Sequence, residues 1–329
     1  MSKNKSIFLT GATGFIGSHL TELLIKNGYE VVAFDRYNSN NNWGWLEKSK
    51  YKKEFKLILG DIRDYDSVSK AMNGCDSVFH LAALIGIPYS YESPLAYIRT
   101  NIEGTYNVLE AARNLEITQT IITSTSETYG TAQYIPIDEN HPLVGQSPYS
   151  ASKIAADQLA ISYHRSFDLP LKIVRPFNTY GPRQSSRAII PTIISQILAG
   201  RRDIEIGNLK PTRDLTYVLD TCHGFLEVFN SNQLFGEVVN IGMNEEIAIG
   251  KLAQLIVKIS GQDINIISTE KRLRPEKSEV DQLLCNNLKL LHKTNWHPTV
   301  TLKDGLKKVF EWMEHPDNLA FYKPDSYNV

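Results

Sequence analysis

Several broad functional classes are argued against by what this sequence lacks. Its 329 residues include only three cysteines, Cys75, Cys222 and Cys285, far apart and without metal-ligand spacing. A reducing compartment suits such usage. The eight histidines are scattered, with no His-Glu-x-x-His pair, so no metal is expected. No apolar run reaches 18 residues, so no membrane span is expected. A formal net charge of −1 gives no general attraction to nucleic acid or anionic lipid. Internal repeats and low-complexity segments are missing too, and Asn38–Asn42 is only a polar loop. Met-Ser-Lys-Asn-Lys runs straight into a strand pattern, with no signal peptide, so a cytoplasmic protein is the expectation. Hydrophobic residues at 42% and charged residues at 22% are ordinary globular values. The length allows two domains or one large α/β unit.

What is present begins with a glycine motif. The apolar stretch Ser6–Leu9 runs into Thr10-Gly11-Ala12-Thr13-Gly14-Phe15-Ile16-Gly17, and a helix is predicted over Ser18–Lys26. Gly11 allows the tight turn, Gly14 lets backbone N–H groups approach a pyrophosphate, and Gly17 lets helix and strand pack closely. A second strand, Glu30–Phe34, ends at Asp35, 18 residues after Gly17. That is where the ribose-binding acid of a dinucleotide fold belongs. Asp35 would accept from both ribose hydroxyls of NAD and repel a 2′-phosphate. Arg36 leaves NADP as the alternative, although a solvated charge is the plainer account of it. Further along, Gly60-Asp61-Ile62 ends a third strand where an adenine could be held. Leu81-Ala82-Ala83 ends a fourth with side chains small enough for close approach to a cofactor.

The chain's most reactive stretch is Thr123–Gly130, Thr-Ser-Thr-Ser-Glu-Thr-Tyr-Gly. It follows the buried-strand pattern Thr120–Ile122, and in open parallel sheets the carboxyl ends of strands meet ligands. Ser124 or Thr125 could orient a substrate oxygen, and Glu127 could act as a base. Tyr149 and Lys153 follow at i and i+4, which share a helix face. A phenol titrates at about 10, and lowering it by roughly three units takes about 4 kcal/mol. A neighbouring ammonium and an oxidised nicotinamide could supply this. Together these groups suit alcohol oxidation followed by proton removal beside the new carbonyl.

Repeated β-α units with unalternating apolar strands, including Leu171–Arg175 and Glu237–Ile241, predict a doubly wound, Rossmann-type parallel sheet. Helices are expected at Asp66–Met72 and Asn101–Leu115, and Trp43-Gly44-Trp45-Leu46 reads as an aromatic-anchored helix start. Amphipathic helices at Lys251–Ile259 and Leu302–Met313, with short strands around Asp263–Ile267, read as a smaller C-terminal α/β lobe. The expected division is a dinucleotide-binding domain of residues 1–178 plus 214–243, and a substrate lobe of 179–213 plus 244–329. The crossing point is Arg175–Asn178.

Taken in order, the glycine motif, Gly60-Asp61-Ile62, His80-Leu81-Ala82-Ala83, Tyr149-x-x-x-Lys153, Arg175-Pro176-Phe177-Asn178-Thr179-Tyr180-Gly181-Pro182 and Arg213-Asp214-x-x-Tyr217-Val218-x-Asp220 resemble the extended short-chain dehydrogenase/reductases that modify nucleotide sugars. Ser124-Thr125-Ser126-Glu127-x-Tyr129-Gly130 looks like the 4,6-dehydratases, with Ser126-Glu127 where many have Asp-Glu. The C4 epimerases typically lack this glutamate. Tyr37-Asn38-Ser39, Ile87-Pro88-Tyr89-Ser90-Tyr91, Gly145-Gln146-Ser147-Pro148 and Arg274-Pro275-Glu276-Lys277-Ser278-Glu279 look like bacterial N-acetylglucosamine-nucleotide 4,6-dehydratases, which feed legionaminic and pseudaminic acid synthesis.

The resemblance implies catalytic Thr125, Ser126, Glu127, Tyr149 and Lys153, with Lys153 holding the nicotinamide ribose and lowering the tyrosine pKa. It assigns the cofactor to Gly11, Thr13, Gly14, Phe15, Ile16, Gly17, Asp35, Arg36, Asp61, Ile62, Leu81, Ala82 and Ala83 with the Tyr/Lys pair. Arg213 and Arg274 would hold the substrate diphosphate, with Asn178 donating to it or to the sugar. Arg187 would reach the nucleotide and backbone near Ile190 the base. A homodimer is implied through helices around Asn101–Leu115 and Tyr149–Arg165.

Overall fold

The computed structural model describes residues 5–269 and 275–324. Its strands are β1 (Ser6–Thr10), β2 (Glu30–Arg36), β3 (Phe55–Gly60), β4 (Ser77–His80), β5 (Gln119–Thr123), β6 (Leu171–Pro176), β7 (Asn178–Tyr180), β8 (Asp203–Ile206), β9 (Thr212–Tyr217), β10 (Val238–Ile241), β11 (Glu246–Ala248), β12 (Asn265–Ser268) and β13 (Gln282–Leu283). The main helices are α1 (Phe15–Lys26), α2 (Tyr65–Met72), α3 (Ile87–Glu92), α4 (Pro94–Tyr97), α5 (Gly104–Asn114), α6 (Pro148–Phe167), α7 (Ile189–Leu198), α8 (Val218–Asn230), α9 (Ile249–Ser260), α10 (Leu288–Lys293) and α11 (Leu302–Glu314).

Seven strands form one sheet in the order β10-β6-β5-β4-β1-β2-β3, every neighbouring pair parallel. The chain winds outward from β1 in both directions, so the crevice beyond the carboxyl ends of β1 and β4 is where such a sheet receives a ligand. Successive residues of the central strands serve opposite cores, as strand geometry requires. Ile7, Leu9, Ile121 and Val174 pack with α1, α7 and α8. Phe8, Ile122 and Ile173 pack with α2, α5 and α6. Full burial of each such side chain contributes roughly 1.5–3 kcal/mol. This two-sided burial explains the unalternating apolar runs. On β6 even Lys172 is buried, its Nζ donating to Val228 O at 2.9 Å, Phe229 O at 3.0 Å and Ser231 O at 2.7 Å. It thereby satisfies carbonyls that the end of α8 leaves unpaired.

The remaining strands lie outside this sheet. β9 pairs antiparallel with β11 and parallel with β13 and β7, while β8 pairs with β12. α7, α9 and α11 cover them and share one continuous core with α1 and α8.

Two expected elements differ. α1 begins at Phe15 rather than Ser18, because Gly14 already occupies the cap position. The single helix expected over Asn101–Leu115 is α5 preceded by a wider π-helical turn, Ile98–Glu103. Asn101, in that turn, spends its amide on Leu84: Leu84 N donates to its Oδ1 at 2.8 Å and its Nδ2 donates to Leu84 O at 2.9 Å. The predicted aromatic anchor is present, with Trp45 centred 5.5 Å from Trp312 and 4.6 Å from Phe321.

Candidate active site

The glycine loop is shaped for a ligand. Gly11 has φ +71°, and a Cβ there would lie 2.8 Å from Ala82 N; one at Gly17 would lie 2.0 Å from Gly11 O. Internal packing thus demands both. Gly14 is different, because a Cβ there would meet nothing closer than Gly11 O at 3.4 Å. The space over Gly14 is open, and α1 starts there with no side-chain cap. Its first N–H groups and helix dipole face that space, as a pyrophosphate needs. Asp35 Oδ2 accepts from Thr13 N at 2.8 Å and Thr13 Oγ1 at 2.7 Å, which ties the ribose acid to the glycine loop and leaves acceptor capacity over. Arg36 donates its backbone N–H to Asp35 Oδ1 at 2.7 Å and is exposed. Asp61 is gripped by Arg63 Nε at 2.9 Å, so this carboxylate already has a cation. Ile62 is buried. These residues fit a dinucleotide with free ribose hydroxyls.

His80 fixes the Leu81–Ala82 edge of this crevice. Thr105 Oγ1 donates to Asn101 O at 2.6 Å and so accepts from His80 Nε2 at 3.1 Å. His80 Nδ1 then accepts from Thr10 Oγ1 at 2.8 Å. Thr10 Oγ1 in turn accepts from Leu81 N at 3.2 Å and Ala82 N at 3.1 Å. Each hydroxyl proton is used once, which assigns the Nε2–H tautomer. Burial, aided by the charge of Lys153, holds the imidazole pKa down at about 3.

Beyond β5 the chain makes a short 3₁₀ turn, Ser126–Tyr129, capped by Thr125, whose Oγ1 accepts from Glu127 N at 3.3 Å. Nearby, α6 opens on a Ser147/Ser150 capping box with Pro148 in the first turn, a strong helix start. Tyr149 and Lys153 therefore sit one turn apart at the head of α6. Tyr149 is buried against Tyr97, ring centroids 6.2 Å apart. Lys153 Nζ donates to Thr123 O at 2.7 Å. Burial raises the Tyr149 pKa; a hydrogen bond with Thr125 opposes this, while Glu127, Tyr97 and Asp157 add to it. The expectation of a lowered phenol pKa is corrected for the protein alone: desolvation outweighs the stabilisation within the chain. A positive charge bound beside this phenol would oppose the effect of burial. Burial also lowers the Lys153 pKa, against Asp157. Ser126 is buried, whereas Thr125 and Glu127 are partly exposed. Among the described residues no hydrogen bond or ion pair engages the Glu127 carboxylate.

Arg213 Nη2 donates to Glu279 Oε1 at 3.1 Å and Nη1 to Thr212 O at 2.8 Å. Arg187 is exposed, its Nε donating to Ser185 Oγ at 3.3 Å. Its Nη1 lies so close over Gly86 that a Cβ there would clash, and its charge lowers the Tyr97 pKa against burial. The Ile190 side chain is buried in the core, so only its backbone N–H, in the first turn of α7, remains for a ligand. Asn178 Oδ1 is buried with no hydrogen-bond partner; as oriented it offers an acceptor, and a half-turn of the amide would offer a donor instead. Arg274 lies outside the described residues. Sequence reading missed a junction: Tyr91 OH and Ser278 Oγ are 2.6 Å apart, Ser278 Oγ donates to Gln146 O at 2.8 Å, and Gln146 Oε1 accepts from Thr131 N at 2.6 Å. Three of the quoted motifs meet there. Among the described residues there is no cluster of metal-ligating side chains and no helix long and apolar enough to cross a membrane.

A sequence profile for GDP-mannose 4,6 dehydratase matches residues 8–309. A putative UDP-glucose 4-epimerase of Methanocaldococcus jannaschii is 31% identical over 94% of this chain and 98% of its own length. A dTDP-D-glucose 4,6-dehydratase of Bos taurus is 30% identical over 94% and 88%. Among solved structures, the dTDP-glucose 4,6-dehydratase DesIV of Streptomyces venezuelae, with NAD and TYD bound, superposes with a TM-score of 0.85 at 26% identity, covering 97% of this chain and 99% of that one. With the parallel sheet, the open glycine loop and the Tyr149/Lys153 pair, this match over most of its length makes the chain a member of the GDP-mannose 4,6-dehydratase family, among the extended short-chain dehydrogenase/reductases that act on nucleotide sugars.

Proposed function

We propose that this chain is a nucleotide-sugar 4,6-dehydratase acting on UDP-N-acetylglucosamine. The observation that carries the reading is Glu127, an unengaged carboxylate beside the Thr125 and Tyr149 hydroxyls. NAD⁺, when bound, accepts the C4 hydride and later gives it back. Gly14 and the first turn of α1 take its pyrophosphate, and Asp35 its ribose. The positive charge of a bound nicotinamide would favour the Tyr149 phenolate, and Tyr149 would take the C4 hydroxyl proton while Thr125 holds the same oxygen. Lys153 holds the nicotinamide ribose. The resulting 4-ketone acidifies the C5 proton, which Glu127 removes, and the C6 hydroxyl leaves as water. Return of the hydride to C6, with a solvent-derived proton delivered to C5, would give a 4-keto-6-deoxy sugar, a suitable starting compound for nonulosonic acids. Ser126, being buried, is assigned a supporting place in the turn, and Glu127 carries the acid/base work. Arg213 and Arg187, in a proposed substrate lobe of residues 179–213 plus 244–329, and Asn178, at the edge of a proposed coenzyme domain of 1–178 plus 214–243, are the proposed substrate contacts.

The test is mass spectrometry of the purified protein with UDP-N-acetylglucosamine, and separately GDP-N-acetylglucosamine, in heavy water. Loss of one water with deuterium at C5 is expected. A new isomer without mass loss would make the enzyme a C4 epimerase, and an alkene at C5–C6 would mean that the hydride returns to C4. We also propose a cytoplasmic homodimer joined through α5 and α6. The exposed Leu95, Ile98 and Tyr106 on the adjoining helical surface support it. Sedimentation should give twice the chain mass, and Ile98→Glu should return a monomer.

A further inference from the structure

Asp157 is completely buried on α6, one turn beyond Lys153 and two beyond Tyr149. Its Oδ2 accepts three hydrogen bonds: from Ser124 Oγ at 2.6 Å, Arg175 Nε at 3.1 Å and Arg175 Nη2 at 2.8 Å. Its Oδ1 has no partner. Arg175, on β6, is 2% exposed and also donates Nη1 to Tyr129 OH at 3.1 Å; that phenol donates to Asn240 Oδ1 at 2.7 Å. Burying such a pair costs several kcal/mol per ion, and apolar residues of equal volume often hold a fold as well or better. Stability alone is therefore a poor account of it. The pair's position is informative. Ser124 immediately precedes Thr125, and Thr123, whose carbonyl holds Lys153, precedes Ser124. One carboxylate thus ties the end of β5, the Tyr/Lys helix and β6 together.

We propose that Asp157 and Arg175 are positioning residues for the oxidation step, fixing the hydroxyl-bearing end of β5 and setting the field in which Tyr149 and Lys153 exchange protons. The inference rests on the role assigned above to Tyr149. The charged and titratable groups that bear on Lys153 and Tyr149 are Asp157 on α6, held by Arg175 on β6, His80 on β4, Glu127 in the turn after β5, and Tyr97 at the end of α4. Asp157 favours protonated Lys153, and together with Glu127 and Tyr97 it favours protonated Tyr149. Along a helix, four and eight residues rise about 6 and 12 Å. A unit charge inside the fold therefore acts on both groups, more strongly on the nearer Lys153.

The test is the pH profile of single-turnover cofactor reduction, together with ultraviolet titration of the Tyr149 phenol in the binary complex with NAD⁺, isolated by subtracting a Tyr149→Phe control. Asp157→Asn should move both limbs of the profile, and the phenol midpoint, to lower pH by about one unit or more. Arg175→Gln, which leaves the carboxylate uncompensated, should move them up. Ser124→Ala keeps the ion pair, should fold, and should move the midpoint up by about half a unit. Profiles that lose height while their midpoints stay in place would overturn the proposal, as would a Ser124→Ala midpoint equal to wild type. If no nucleotide sugar reduces the cofactor, the functional reading fails, and the binary-complex titration decides this inference by itself.

Discussion

Glu127 stands apart from its neighbours because nothing among the described residues claims its carboxylate, whereas Asp157, Asp35 and Asp61 are each bound by two or more donors. An acceptor-only side chain in that condition is a ready base. Glu127→Gln should cut water elimination by about 10²–10⁴-fold while leaving oxidation at C4 intact, so that reduced cofactor and 4-keto sugar accumulate. The assay is cofactor absorbance beside product mass, and near wild-type dehydration would remove Glu127 from the mechanism. Arg213→Leu should raise KM for the nucleotide sugar by roughly 10- to 100-fold, the worth of a charge-assisted hydrogen bond to phosphate, with a smaller change in kcat. An unchanged KM would take Arg213 out of the site. Glu127, Tyr149, Lys153 and the three glycines were legible in the sequence because their signals are local: a strand end, an i and i+4 pair, a loop spacing. The partners of Asp157 were not, since Ser124 and Arg175 lie 33 and 18 residues away and meet it only through sheet order. The burial of Tyr149 was not legible for the same reason, because burial is a property of the packed molecule.

Among the elements, β1, β4 and α5 are held to one another by a buried chain of Thr10, His80 and Thr105. Its arithmetic works only with a neutral imidazole, since a proton on Nδ1 would leave the Thr10 hydroxyl facing a second donor. The pH dependence follows. His80 titrates at about 3 in the folded chain and at about 6.5 when unfolded. Its stabilising contribution is complete above the unfolded value and is lost as pH falls towards the folded one, at roughly 1.4 kcal/mol per pH unit. Asp214 works in the opposite sense, its pKa pushed up to about 7 by burial against four backbone N–H donors. His19, held at about 4 by burial and Arg183, works in the same sense as His80. Both are common to wild type and a His80→Gln variant, so they cancel in a comparison. Urea unfolding between about pH 6 and 4 should show the wild-type slope steeper than that of the variant by close to the single-histidine value. Equal slopes would mean that His80 protonates freely. The strands of this clamp were readable as apolar runs, but the His80–Thr105 contact needs α5 to begin after a π-helical turn that no propensity signals.

For the whole molecule, the question is how a diphosphate site and a hydride-transfer site stay in register. The proposed diphosphate ligand Arg213 is on β9, in the smaller sheet, while Tyr149 belongs to a helix on the large sheet. Glu279 pairs with Arg213, and the residue before it, Ser278, bonds to Gln146 at the foot of α6 and to Tyr91 on α3. A continuous path therefore runs from Arg213 through residues 278–279 to the helix that carries Tyr149. Each bond in it is worth about 0.5–1.5 kcal/mol net, so loss of the two made by Ser278 should be felt as about a tenfold change in an equilibrium. Ser278→Ala is expected to raise KM for the nucleotide sugar, and Kd for the free nucleoside diphosphate, by about that factor while NAD⁺ affinity holds. Tyr91→Phe, which breaks only one of the contacts, should give the same change in smaller measure. Calorimetry with the nucleoside diphosphate and with NAD⁺ separates the outcomes. If both affinities fall together, Ser278 holds up the fold in general. If only the nucleotide side weakens, the junction sets the distance between the diphosphate and the reacting carbon, which is the spacing a nucleotide-sugar enzyme has to hold.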